Sequence, residues 1–337
     1  MLVLIHHSQI LGQSVVDLGS LGVYIFFNLS GYLIVPIFFK QMQNSDGFHD
    51  KLVQVRKFFK ARALRIFPAY YFCLTFLALP LFAYSHFRRT ALSNDYAGIF
   101  PYLYTYTTNF YIAYVSNAWP GPVSHFWSLA VEQQFYIFFP LFFVFLPVLY
   151  WKRAMIVLFT IFCFLALSVY NTSIQFYVGT FTGFFAVIAG GVAALTKLEM
   201  RTPLPSYFLL SAASAIFLIA PIIGYSHLGI ILGTIMISLF LKSIECQPNG
   251  WFTRILECRF LRGLGVISYG FYVYHNLMLV PAVVIAKHIF SVAELPLEHY
   301  VGYGYYLTVL TIAFLLTIII SALSFVLIES PVRRFGS

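Results

Sequence analysis

Apolar runs separated by short polar links repeat along the chain. They fall at 1–12, 18–39, 66–85, 125–150, 154–170, 176–196, 206–224, 228–242, 264–287 and 303–328. A helix needs about 20 apolar residues to cross the hydrocarbon, whereas a transmembrane strand shows only ~10 residues of alternating character. Most of these runs are continuous and of helical length, so they predict helices; lipid admits only helix bundles or closed barrels as spanning structures. The expected fold class is all-α: a polytopic membrane helix bundle of about ten transmembrane helices. The first run, Met1 to Leu11, is about half the length of a span, so the first helix reads as truncated.

An eleventh stretch, "YAGIFPYLYTYTTNFYIAYV" at 96–115, is rich in Tyr, Thr and Asn and holds Pro101. The distribution of lysine and arginine decides its status, because loops on the cytoplasmic side carry the excess. With ten spans and both termini cytoplasmic, all of the 20 Lys and Arg residues except Arg88, Arg89 and Lys287 fall inside. Counting 96–115 as a span reverses that asymmetry. The segment 86–124 is therefore expected as a long outer loop, its aromatic part lying on the membrane surface or folding into the bundle.

Composition agrees. The chain of 337 residues is 61% hydrophobic, 20% aromatic and only 9% charged, with mean hydropathy +0.85; a soluble domain carries about 25% charged residues. The net charge of +9 is the cytoplasmic-loop excess and implies the bilayer, not nucleic acid, as partner. Cys73, Cys163, Cys246 and Cys258 show no metal-binding spacing and are expected reduced. No cleavable signal pattern, internal repeat or low-complexity segment interrupts the chain. Residues 1–337 are expected to form a single membrane-embedded domain with no soluble domain appended. The oligomeric state is not legible.

Ionisable residues inside spans are costly, so they are the functional candidates. Four groups carry them. In "LVLIHHSQIL" (2–11), His6 and His7 follow an aliphatic run; an imidazole can take a proton near neutral pH. In "KARALRIFPAYY" (60–71), Arg62 and Arg65 share a helix face. They are either snorkelling cations at a helix end or a guanidinium clamp for phosphate. In "HFWSLAVEQQFYIFFP" (125–140), His125 and Trp127 are expected at the outer boundary, with Ser128, Glu132 and Tyr136 following on one face. In "LGVISYGFYVYHNLML" (264–279), Ser268, Tyr272, His275 and Asn276 share a face, His275 near mid-membrane, with Gly265 and Gly270 permitting close approach. These last two groups are equally readable as hydrogen-bonded packing seams. Together the four could line a cavity with a cationic cytoplasmic rim, fit for an anionic ligand. Such a cavity does not by itself separate an enzyme from a transporter.

The sequence resembles the acyltransferase family 3 membrane proteins, bacterial enzymes that O-acylate carbohydrates and other hydroxyl-bearing acceptors. "VLIHH", "LGVYIFFNLSGYLI" (21–34), "RALRIFPAYY" (62–71), "HFWSLAVEQQFYIFFP", "ISYGFYVYH" and "IESPVRRF" (328–335) match its motifs in order along nearly the whole chain. The resemblance implies an acyl-CoA donor, usually acetyl-CoA, bound from the cytoplasm at the inner membrane. It implies a carbohydrate or glycolipid acceptor, and no permanently bound cofactor or metal. It makes His6 the catalytic histidine, with His7 the alternative if the register slips by one. Arg62 and Arg65 become the residues for the CoA phosphates, and Glu132 and His275 supporting residues for proton transfer or acceptor orientation. Two positions depart from the pattern. Tyr24 stands where aspartate is frequent, and the family's arginine three turns before its histidine has no counterpart, because only Met1 to Ile5 precede His6. A start site lying further upstream, or a shortened gene, would account for that. The readings that compete with an acyltransferase are a transporter or flippase of a glycan intermediate, and a non-catalytic acyl-CoA-binding relative.

Overall fold

The apolar runs fold as helices, and no strand occurs among the described residues. The structure, a computed structural model, describes residues 2–7, 18–43, 45, 47–80, 83, 98–196, 206–222, 226–292 and 303–336. We number the main helices α1 (Leu2–His7), α2 (Leu18–Gln43), α3 (Phe48–Phe72), α4 (Phe126–Val144), α5 (Trp151–Val169) and α6 (Thr180–Leu195). They continue as α7 (Ser206–Ile222), α8 (Ser226–Cys246), α9 (Trp251–Leu256), α10 (Arg259–Val266), α11 (Ser268–Val292) and α12 (Tyr303–Ser324). A π-helical turn, Phe325–Glu329, prolongs α12.

Five helices among the described residues are long and apolar enough to cross a bilayer: α2, α5 with the turn before it, α8, α11, and α12 with its extension. The chain is therefore an all-helical, multi-pass membrane protein, with half the expected ten spans meeting that criterion. The others miss it for identifiable reasons. Glu132, Gln133 and Gln134 dilute α4, α6 and α7 are apolar but short, and the runs expected at 1–12 and 66–85 extend outside the described residues. α1 has six residues.

α2 is buried on most of its circumference, as a helix apolar all round must be. α6 crosses it so closely that a Cβ at Gly31 would strike the Val187 carbonyl, and one at Gly190 the Asn28 carbonyl. Small residues at such a crossing bring backbones into van der Waals contact, which drives helix association where lipid is as apolar as the side chains. Next to that crossing, Ser238 of α8 donates to Asn28 Oδ1 at 2.6 Å. α11 and α12 run antiparallel, pairing Phe290 with Tyr305 at one end and Gly270 with Ser321 at the other. Gly270 thus permits close approach as expected, whereas Gly265 faces open space. α1 lies on α2 and touches α11 and α12.

Residues 98–124 fold into the bundle, the second of the two placements open to them. Two short helices (Phe100–Tyr104, Thr108–Phe110) and a π-helical turn (Tyr111–Ser116) bury Leu103, Asn109 and Ile112. Tyr106 stacks on Tyr70 of α3, with ring centroids 4.4 Å apart. Asn109 donates to Thr180 at 3.0 Å, Thr180 to Gln134 at 2.8 Å and Gln134 back to Asn109 at 2.9 Å, closing a ring between this segment, α6 and α4.

Candidate active site

α4 carries a polar strip down one side: His125 at its N-cap, then Ser128, Glu132 and Tyr136, all buried. Eleven residues of helix place the ends of this strip about 16 Å apart. Different helices serve its two halves.

At the Tyr136 end the neighbours are α2 and α3. Glu132 accepts hydrogen bonds from Ser30 of α2 and from Tyr136 one turn along. Arg62 of α3 is half-buried and places its guanidinium over Phe58 and Tyr136, 5.7 and 5.9 Å from the ring centroids, within the range of cation–π attraction. Among the described residues nothing accepts a hydrogen bond from the Arg62 Nε–H, although that atom is buried. Arg65, one turn on, is exposed. Both arginines lie within electrostatic reach of Glu132. Neither forms an ion pair with it.

At the other end the partner is α11. His125 is 3% exposed, and its ring centroid is 4.7 Å from that of His275. His125, expected with Trp127 at the outer boundary, is thus buried against α11. The folded-in segment 98–124 caps α4, so the helix begins inside the bundle. His125 Nε2–H donates to the Val273 carbonyl at 3.1 Å, and His275 Nδ1–H to the Tyr272 carbonyl at 2.6 Å. A carbonyl only accepts, so each neutral ring keeps its other nitrogen as the basic one: Nδ1 of His125 and Nε2 of His275. Tyr272 donates to the His125 carbonyl at 3.1 Å, meets Ser128 Oγ, and stacks on Phe26 of α2.

His6 and His7 close α1, the helix that touches α11; their side chains lie outside the described residues. Asn276 is buried beside His275, but Ser268 bonds back to the Gly265 carbonyl at the start of α11 and takes no part. Tyr24 is fully buried, its hydroxyl on the Tyr177 carbonyl at 3.1 Å and its ring among Phe27, Tyr177 and Phe217, which is a packing role. The four cysteines are free, and no metal-binding cluster occurs among the described residues.

Two participants went unrecognised in the sequence. Ser30 lies in the quoted second-span motif but has no ionisable group to draw attention. Glu329 is buried, accepts from Arg333 at 3.0 Å, and lies within electrostatic reach of Arg65. As a carboxylate next to the apolar run "FVLI", it was open to the rule that singled out Glu132.

The strip thus holds cations with an unused donor at one end, a buried carboxylate between, and two imidazoles with basic nitrogens at the other. Such an arrangement can bind an anion and move a proton. Comparison with known proteins bears on which reaction this serves. The family model described as "Acyltransferase domain" matches residues 1–328. A peptidoglycan O-acetyltransferase, OatA, of Listeria monocytogenes is 25% identical over 94% of this chain and 52% of its own. An O-acetyltransferase OatA of Staphylococcus aureus is 24% identical over 94% of this chain and 53% of its own. The chain therefore spans about half the length of these curated relatives. No solved structure matches it.

Proposed function

The chain belongs to the acyltransferase-domain family that its sequence matches from residue 1 to 328, and on that premise we propose that it is a membrane O-acyltransferase. It moves an acetyl group from acetyl-CoA to a hydroxyl of a cell-wall glycan or related glycoconjugate. The observation that carries this reading is the polar strip of α4, cationic at one end and imidazole-bearing at the other. The acceptor class is taken from the peptidoglycan named for the Listeria relative.

In this mechanism Arg62 and Arg65 hold the CoA phosphates, for which planar guanidinium forks are suited. The thioester end reaches along the strip toward α1 and α11. His6, or His7 in its place, removes the acceptor hydroxyl proton as the oxygen attacks the thioester carbonyl. The carbon–sulfur bond then breaks, and the proton passes to the CoA thiolate. A general base of this kind contributes ~10²–10⁴-fold. His275, with Nε2 as its basic nitrogen, assists the proton transfer, and Glu132 orients the strip through Ser30 and Tyr136. A route through an acyl-histidine uses the same residues. The topology proposed with it is ten spans in the bacterial inner membrane, both termini cytoplasmic, so that donor and Arg62 share the cytoplasmic side.

The test offers labelled acetyl-CoA to membranes holding the protein and follows label into glycan. Transfer is expected from the unmodified chain and lost in His6→Ala, with equal protein inserted. Full transfer by a His6→Ala/His7→Ala double variant overturns the assignment of the base. Glycan crossing the membrane with no label transferred favours a flippase instead.

A further inference from the structure

A groove of about 420 Å³ opens between α2, α5 and the end of α6, apart from the strip on α4. Phe39 and Trp151 form its floor, their rings 4.7 Å apart, and the indole N–H of Trp151 is fixed on the Leu146 carbonyl at 3.0 Å. Lys40, Gln43 and Lys152 stand exposed around its mouth. Neither lysine has a carboxylate partner among the described residues; the ion pairs there are Lys242–Glu245 and Arg333–Glu329. Two ammonium groups and a carboxamide around an aromatic floor match a phosphate monoanion that carries something apolar.

Two further features identify the apolar part. The turn Val148–Tyr150 leads into α5 and forms one wall, where Leu149 is 78% exposed. On α2, Leu33 and Ile37 are 53% and 47% exposed, one turn apart, directly behind Lys40. They make an apolar track that leads from the cations along a membrane-crossing helix. In a bilayer protein that track faces acyl chains, and a lysine at its end sits at the headgroup level.

We propose that this groove is a binding site for an anionic phospholipid. The headgroup phosphate sits between Lys40 and Lys152, and an acyl chain runs along Leu149, Ile37 and Leu33. The site is independent of the acyl-transfer reading, since none of these residues belongs to the strip.

The experiment is native mass spectrometry of the full chain released from detergent with phosphatidylglycerol, phosphatidylcholine or inorganic phosphate. One phosphatidylglycerol adduct is expected, with no comparable phosphatidylcholine adduct. In K40Q/K152Q its affinity should fall about 25-fold, from roughly a fivefold loss per lysine. Leu149→Ser should weaken the adduct with both charges intact, and Lys40→Arg/Lys152→Arg should retain it, which guards against a folding defect. Equal retention of phosphatidylcholine, or an unchanged adduct in K40Q/K152Q, overturns the site. Displacement of the lipid by millimolar phosphate, with Leu149→Ser unaffected, overturns the lipid assignment in favour of a simple anion site.

Discussion

Glu132 and Gln134 stand two residues apart on α4 and face opposite ways, as a helix turning about 100° per residue requires. Both are polar groups inside an apolar bundle, and their surroundings differ in one respect. Around Gln134 the hydrogen bonds close on themselves through Asn109 and Thr180, so nothing further is needed from outside. Around Glu132 they stay open. The carboxylate is met by Ser30 and Tyr136, while Arg62 rests on aromatic faces with its buried Nε–H unused. A closed polar ring rigidifies a fold; a cation held beside a carboxylate with a donor to spare is what a ligand can complete. Burial alone therefore does not separate the two surroundings; they differ in the hydrogen-bonding capacity that Arg62 and Gln134 retain.

The contrast predicts that changes on the open face reduce activity and changes on the closed face reduce stability. Of the changes on α4, Glu132→Gln carries the largest expected effect: transfer of labelled acetyl falls ~10²-fold through lost positioning, while the thermal midpoint of the solubilised protein stays where it was. Gln134→Ala strands Asn109 and Thr180 and should lower stability by about 2 kcal/mol, read from the same melt, with turnover per folded molecule unchanged. Were turnover to drop and the melt to hold, the ring would belong to the site after all. Arg62→Lys keeps a charge but loses the fork, so the apparent Michaelis constant for acetyl-CoA should rise ~10-fold at near-constant maximal rate. The smallest effect belongs to Ser238→Ala, which deletes a bond from α8 to α2 that includes no residue of either face. It should shift stability by about 0.6 kcal/mol and leave acetyl transfer alone.

Much of this molecule is legible locally. The apolar runs became helices because helix formation inside lipid is a property of one segment: its backbone groups must be satisfied within itself. Arg62, Glu132 and His275 stood out for a related reason, since an ionisable residue in an apolar run is costly wherever the helix packs. The Arg62–Glu132 relation was within reach because both residues lie on motif faces of regular helices. The placement of His125 was not. It follows from residues 98–124 folding over the end of α4, and that stretch of Tyr, Thr and Asn has no periodicity to announce its path. Ser30 gave no signal because a serine is uncostly in a helix until a carboxylate is brought to it.

The chain alone determined that this is a helical membrane protein, which of its segments are apolar, and which polar residues they must accommodate. Those are properties of neighbouring residues and of the solvent they meet. Only the tertiary structure decided that His125 meets His275, 149 intervening residues away, that Ser30 caps Glu132, and that Arg62 keeps a donor in reserve. Such meetings depend on where helices cross. Crossings are set by the shape of two surfaces together, at glycines such as Gly31 and Gly190, and no single segment encodes them.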